Sequence, residues 1–127
     1  NIIIEREVMK KLFVYGSLKK GGHLDYVLKR SKFLGEYVTK SKGFSMTGFW
    51  YPFVFRKENE YSVKGELYEP NQDDFRLANR IELGAGYKLE EVDDGIFAYI
   101  YPKKTDVKSM NVVMNRKDKF YEWRKFD

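Results

Sequence analysis

The chain has 127 residues, a formal net charge of +5 and no cysteine, a length that allows one domain with a real core but excludes disulfides, thiolate metal sites and cysteine nucleophiles. His23 is the only histidine, which excludes a histidine-rich metal centre and leaves a serine–histidine–aspartate triad without support from spacing. The basic residues fall in scattered pairs such as Lys19-Lys20 and Lys103-Lys104, interleaved with acids, as on an ion-paired surface rather than along a phosphate-tracking stripe.

Asn1-Ile2-Ile3-Ile4 is too brief for a signal peptide and runs straight into Glu5-Arg6-Glu7. Residues 1–8 therefore read as a peripheral extension of a single domain over 1–127, with Met9 as an alternative start. No apolar run is long enough to span a membrane, so the expected location is the cytoplasm. Leu12 to Tyr15 read as a buried strand that stops at Gly16. Gly16 opens backbone angles closed to other residues and lets a ligand approach the main chain, Ser17 adds a hydroxyl, and Lys19-Lys20-Gly21-Gly22 keep the next stretch open and positive. A helix is expected from about His23 to Arg30. The loop would then precede a helix N-terminus, whose unpaired N–H groups favour an anion. The same string also fits a plain turn with no ligand.

Phe33 to Val38 read as a strand, and Gly43 to Pro52 as a loop heavy in aromatics. Phe53–Arg56 and the alternating Tyr61–Tyr68 are expected to pair as a hairpin across Lys57-Glu58-Asn59-Glu60. Pro70, a capping Asn71 and the acids Asp73 and Asp74 start a helix that runs to Glu82 or Leu83 and stops at Gly84-Ala85-Gly86. Tyr87–Val92 and Ile96–Tyr101 form a second hairpin through Asp93-Asp94-Gly95. Met110–Met114 reads as an edge strand and Lys119–Phe126 as a short amphipathic helix. Strands dominate, which predicts an α+β fold: a small mixed, mostly antiparallel β-barrel flanked by helices.

On a wheel of about 3.6 residues per turn, Phe75, Leu77, Ala78 and Ile81 share the arc that should face the core. Glu82 projects onto that apolar arc, and Asp74 leans the same way in the first turn, where it can serve the N-terminus. A carboxylate in an apolar setting has a raised pKa, as a proton shuttle near neutral pH requires. Curling into solvent or pairing with Lys88 is the structural alternative.

Tyr15-Gly16-Ser17-Leu18 at the end of a strand, Tyr51-Pro52, Val63-Lys64-Gly65-Glu66-Leu67-Tyr68, Glu82 followed by Tyr87, and Ala98-Tyr99-Ile100-Tyr101 come in the order found in one family. Over roughly residues 11–101 the chain resembles the gamma-glutamylcyclotransferase-like proteins, which include gamma-glutamylamine cyclotransferases and BtrG-like enzymes. The resemblance implies a cavity lined by the Tyr15–Leu18 loop with Tyr51, Pro52 and Tyr87, and Glu82 as general acid/base. It also implies a small-molecule gamma-glutamyl substrate, release of 5-oxoproline, and no metal or organic cofactor. The sequence departs from the family at Ala78-Asn79, where Leu-Asp is common, and at Leu83, where glycine is frequent. It also lacks the asparagine often found between positions 19 and 24, which leaves the leaving-group side unassigned. Two other readings use the same residues: a non-catalytic protein that binds a small carboxylate or amine, and a single-stranded nucleic-acid binding barrel exposing Phe49, Trp50 and Tyr51.

Overall fold

In a computed structural model, residues 10–106 and 109–124 are described. The expected extension at 1–8 and the end of the expected C-terminal helix lie outside them. Nine strands are described: β1 Lys11–Val14, β2 Lys32–Val38, β3 Phe44–Gly48, β4 Pro52–Arg56, β5 Ser62–Glu69, β6 Lys88–Asp93, β7 Ile96–Ile100, β8 Val112–Asn115 and β9 Phe120–Trp123, with helix α1 Gln72–Gly84 between β5 and β6. No described helix is long and apolar enough to cross a membrane.

β1 lies at the centre of the main sheet. It pairs antiparallel with β5 through Leu12↔Tyr68 and parallel with β7 through Phe13↔Ala98. Covering both faces of β1 requires an apolar run rather than alternation, and Leu12, Phe13 and Val14 are all buried. Phe13 and Tyr15 face a core with Phe44, Met46, Val54, Val63, Ile100 and Trp123. Leu12 and Val14 face a second core with Val27, Leu28, Tyr68, Ala78, Tyr87 and Tyr99. Of the expected site residues, Leu18 and Tyr87 lie in the second core and Tyr15 in the first. The first interior is filled, with a void of only about 10 Å³ beside Phe13, Phe44 and Val54.

The architecture is α+β and mostly antiparallel, as expected, but its described strands fall into two sheets rather than one continuous barrel. β3 and β4 form their own two-stranded ladder. The bridge Phe44↔Tyr61 ties that ladder to the start of β5, and the Tyr101 N–H to Val54 carbonyl bond ties it to the end of β7 (2.8 Å). Those two local links, rather than ladders, join it to the main sheet. β4 and β5 therefore do not form the expected hairpin. β4 takes the strand just before it, while β5 pairs with β2, β1 and β9. The aromatic loop accordingly begins as a strand and is irregular only around Phe49–Tyr51.

Three further expectations are corrected. The helix from His23 to Arg30 is a short 3-10 helix, Asp25–Leu28, whose N-cap Leu24 has no side-chain cap. Gly21 and Gly22 sit in turns before it, and Gly21 has φ +80°. The segment Lys119–Phe126 is not helical where described: β9 pairs antiparallel with β8 and parallel with β5. Over four residues the helical and strand periods are hard to separate, and the neighbouring strands decide. On α1, Leu77 is 36 % exposed, whereas Asp74 and Ala78 are buried, so the buried arc lies to one side of the expected centre.

The helix start and the second hairpin follow their local signals. Asn71 Oδ1 accepts from the N–H groups of Asp73 (2.9 Å) and Asp74 (3.2 Å), an N-cap of the usual kind. The β6–β7 turn carries Gly95 at φ +72°. Asp74 does not serve the N-terminus. It accepts from Arg30 N–H (2.9 Å), Arg30 Nε (3.2 Å) and Ser31 Oγ (2.8 Å), so it anchors the chain that enters β2.

Candidate active site

The acid wall is built by the end of α1. The helix stops in a turn in which the Glu82 carbonyl accepts from both Ala85 and Tyr87 N–H, each at 3.1 Å. Gly86 reverses the chain at φ +98°, so Tyr87 folds back beside the last helical turn. The Tyr87 hydroxyl donates to the Pro52 carbonyl at 2.6 Å. The Pro52 ring lies hard on Gly16, where an added Cβ would sit 2.5 Å from its Cγ. Gly16 is thus required by close approach and not by an unusual φ. Segments around positions 16, 52, 82 and 87 therefore meet at one rim.

Glu82 is half-buried, and burial pushes its carboxyl up to about 7. The expected alternative, a pair with Lys88, is not found among the described ion pairs. Its electrostatic neighbours are tyrosines. The acidity of Tyr15, Tyr87 and Tyr99 is suppressed first by burial, and the Glu82 charge adds to the effect in each case. Each hydroxyl already donates elsewhere: Tyr15 to the Tyr99 carbonyl, Tyr87 to the Pro52 carbonyl, and Tyr99 to Asn79 Oδ1 at 2.7 Å. An ionised carboxylate is stabilised by donors, and the three tyrosine hydroxyls that feel its charge are given to other acceptors. The acid can therefore hold or release a proton near neutrality.

The opposite wall is the Tyr15–Leu18 loop. Tyr15 and Leu18 are buried. The Gly16 and Ser17 carbonyls are consumed by Lys19 N–H (3.0 Å) and Leu24 N–H (2.8 Å). Among the described residues, the N–H groups of Ser17 and Leu18 have no hydrogen-bond acceptor. The expected source of anion affinity, an α-helix N-terminus behind the loop, is absent, and uncommitted main-chain amides are what remains for that role. Gly22 packs the loop tightly, since a Cβ there would meet the Ser17 carbonyl oxygen at 2.3 Å.

Tyr51 is 53 % exposed and Trp50 82 %. From Tyr51 an aromatic series runs inward: Tyr51–Phe53 at 5.4 Å, Phe53 stacked on Tyr87 at 6.0 Å, and Tyr101 edge-on to Phe53 at 4.7 Å and to Tyr87 at 5.4 Å. Phe53, Asn79, Tyr99 and Tyr101 were not among the site residues expected from the sequence, although Asn79 marked a departure from the family and Ala98-Tyr99-Ile100-Tyr101 a landmark of it. The signal available was alternation in Ile96–Tyr101, which sets Tyr99 and Tyr101 on the face opposite Ala98 and Ile100. A groove of about 270 Å³, lined among others by Arg56, Glu90, Tyr101, Lys103 and Lys104, shares Tyr101 with this cluster but not Glu82. No set of three or more acidic or histidine side chains is gathered for a metal among the described residues.

Residues 12–124 match the family described as "Gamma-glutamyl cyclotransferase, AIG2-like". A gamma-glutamylcyclotransferase candidate of Pyrococcus horikoshii is 36 % identical over 87 residues, covering 68 % of this chain and 72 % of its own length. A second candidate, from Methanocaldococcus jannaschii, is 38 % identical over 110 residues, covering 78 % of this chain and 90 % of that protein. The crystal structure of the P. horikoshii protein, titled as uncharacterized, superposes with a TM-score of 0.68 at 32 % identity, covering 80 % of this chain and 85 % of that one.

Proposed function

The chain belongs to the gamma-glutamyl cyclotransferase, AIG2-like family, a cyclotransferase class of enzyme, and on that premise we propose that it releases 5-oxoproline from a gamma-glutamyl amine or peptide. The reaction needs no protein nucleophile, which suits a chain without cysteine. The substrate's own α-amine attacks its γ-carbonyl, a carbon–nitrogen bond closes the five-membered ring, and the bond to the departing nitrogen breaks. Holding amine and carbonyl in near-attack geometry contributes up to roughly 7–11 kcal/mol in favourable intramolecular cases.

Two proton movements remain for the protein. The α-ammonium, with a reference pKa of about 8, must lose a proton before it attacks, and the departing nitrogen must gain one. Glu82 is the group for both, since a carboxyl pushed up to about 7 exchanges protons efficiently near neutral pH. The N–H groups of Gly16, Ser17 and Leu18 would receive the α-carboxylate or the oxyanion of the tetrahedral intermediate. Tyr15 walls the pocket, Tyr87 holds Pro52 against Gly16, and Tyr51 lies at the mouth.

The observation that carries the reading is the run of contacts from the Glu82 main-chain carbonyl through Tyr87 and Pro52 to Gly16, which supports an acid without an ion-pair partner among the described residues acting beside the loop amides. The test is 5-oxoproline formation, read by mass spectrometry, from a panel of gamma-glutamyl amines and peptides. Glu82→Gln should retain the fold and lower kcat by about 10²–10⁴-fold. Turnover of no panel member, or a Glu82→Gln variant as active as the parent, would overturn it.

A further inference from the structure

Immediately after the loop, two lysines leave in different directions. The Lys19 ammonium is drawn inward and donates to the Trp123 carbonyl at the end of β9 (2.9 Å). Burial lowers its basicity, opposed by the charges that face it: Glu122 of β9, Glu66 of β5 and Glu36 of β2. Lys64 of β5 adds to the lowering. Lys20 gives its N–H to Glu66 Oε1 (2.8 Å), and its ammonium lies 3.7 Å from the centre of the Phe33 ring. A short loop is thus fastened to three strands at two consecutive residues.

A solvated lysine would lie on the surface with its head in water. Burying this one is offset only if a charged donor makes a strong bond there. The bond joins the loop to β8–β9, the hairpin that ends the sheet beyond β5 and whose Trp123 packs in the same core as Tyr15. The carbonyls of Gly16, Ser17 and Lys19 are all consumed inside the turn, whereas the Ser17 and Leu18 N–H groups have no acceptor among the described residues.

We propose that Lys19 is a positioning residue for substrate binding: its bond to the Trp123 carbonyl makes the C-terminal hairpin the support on which the Gly16–Leu18 amides are held. The assignment rests on the cyclotransferase reading of the loop, but the tether can be tested without it. In the full chain, Lys19→Met keeps the apolar stem and removes the donor. It should raise KM for the best gamma-glutamyl substrate about five- to tenfold, the size of one ordinary net hydrogen bond because the lost bond acts only through the loop's position, with kcat within about twofold. Amide exchange of Lys19, Lys20, Gly22 and Leu24, the loop N–H groups that are hydrogen-bonded, should accelerate with no substrate present, while exchange of β6 and β7 stays unchanged. Lys19→Arg, which restores a donor, should recover most of the KM.

Unchanged loop exchange in a folded Lys19→Met protein would overturn the tether, as would acceleration spread equally over β6 and β7. A shift in kcat alone with normal KM would overturn the positioning role. If the unsubstituted protein turns over no gamma-glutamyl compound, the cyclotransferase reading fails by itself, and the exchange result still decides whether Lys19 holds the loop.

Discussion

Asp74 and Glu82 stand at opposite ends of α1, both turned toward the sheet, and their surroundings could hardly differ more. Asp74 is 2 % exposed and takes three hydrogen bonds from Arg30 and Ser31, one of them also an ion pair at 3.2 Å. Glu82 is less deeply buried, and the hydroxyls around it donate to other acceptors. Burial alone therefore does not make a carboxylate chemical. One is anchored because its donors were supplied; the other has its pKa raised by burial with the surrounding hydroxyls given to different partners, as the proposed proton transfer requires.

That contrast can be broken from either side. After the catalytic loss expected for Glu82→Gln, the largest effect should come from Asp74→Ala. Removing an acceptor that serves three donors should cost about 3 kcal/mol of stability in urea unfolding, while activity per folded molecule stays within a few-fold of the parent. A large loss of turnover with intact stability would reverse the assignment of the two acids.

Glu82 should show the opposite signature. Its folded carboxyl is pushed up to about 7 from an ordinary 4.5, so between those pH values the folded chain binds more protons than the unfolded one. Stability should fall as pH rises through that window and level off above it. Glu82→Gln removes that fall, and the variant should be more stable than the parent at pH 8 by on the order of 1–2 kcal/mol, discounted for partial solvent screening, and equal to it at pH 4. The kcat/KM of the parent should correspondingly rise with pH through about 7. Equal stability at both pH values, together with a flat activity profile near neutrality, would mean the carboxyl is solvated.

The smallest effect sharpens the same picture. Tyr87→Phe removes the 2.6 Å bond to the Pro52 carbonyl and should cost about 1 kcal/mol in stability and about fivefold in kcat/KM, because Pro52 is then less firmly held on Gly16. Unchanged kinetics would separate Tyr87 from the rim's geometry.

Several of these features were legible in the chain. The apolar stop at Gly16, the Asn71 cap, the turn at Asp93-Asp94-Gly95 and the arc that carries Glu82 inward are local patterns, and each appears where its residues lie. The ordered landmarks from Tyr15 to Tyr101 carried the family. Less was legible where pairing was decided at a distance. Phe120–Trp123 suits a short helix by spacing but becomes a strand because β5 and β8 have open edges beside it, and β5 bypasses its neighbour in sequence for β2, β1 and β9. The 3-10 helix at Asp25–Leu28 fell short of an α-helix where Gly21 and Gly22 spend their conformational freedom on turns.

By itself, then, the sequence determined which segments are strands or helix in most of the domain, and which carboxylates face inward, because period, caps and turn residues act within a few positions. Only the tertiary structure decided what those inward acids and loop amides meet. Whether a buried carboxylate is held or left free depends on where hydroxyls many residues away send their protons, and no local pattern encodes that.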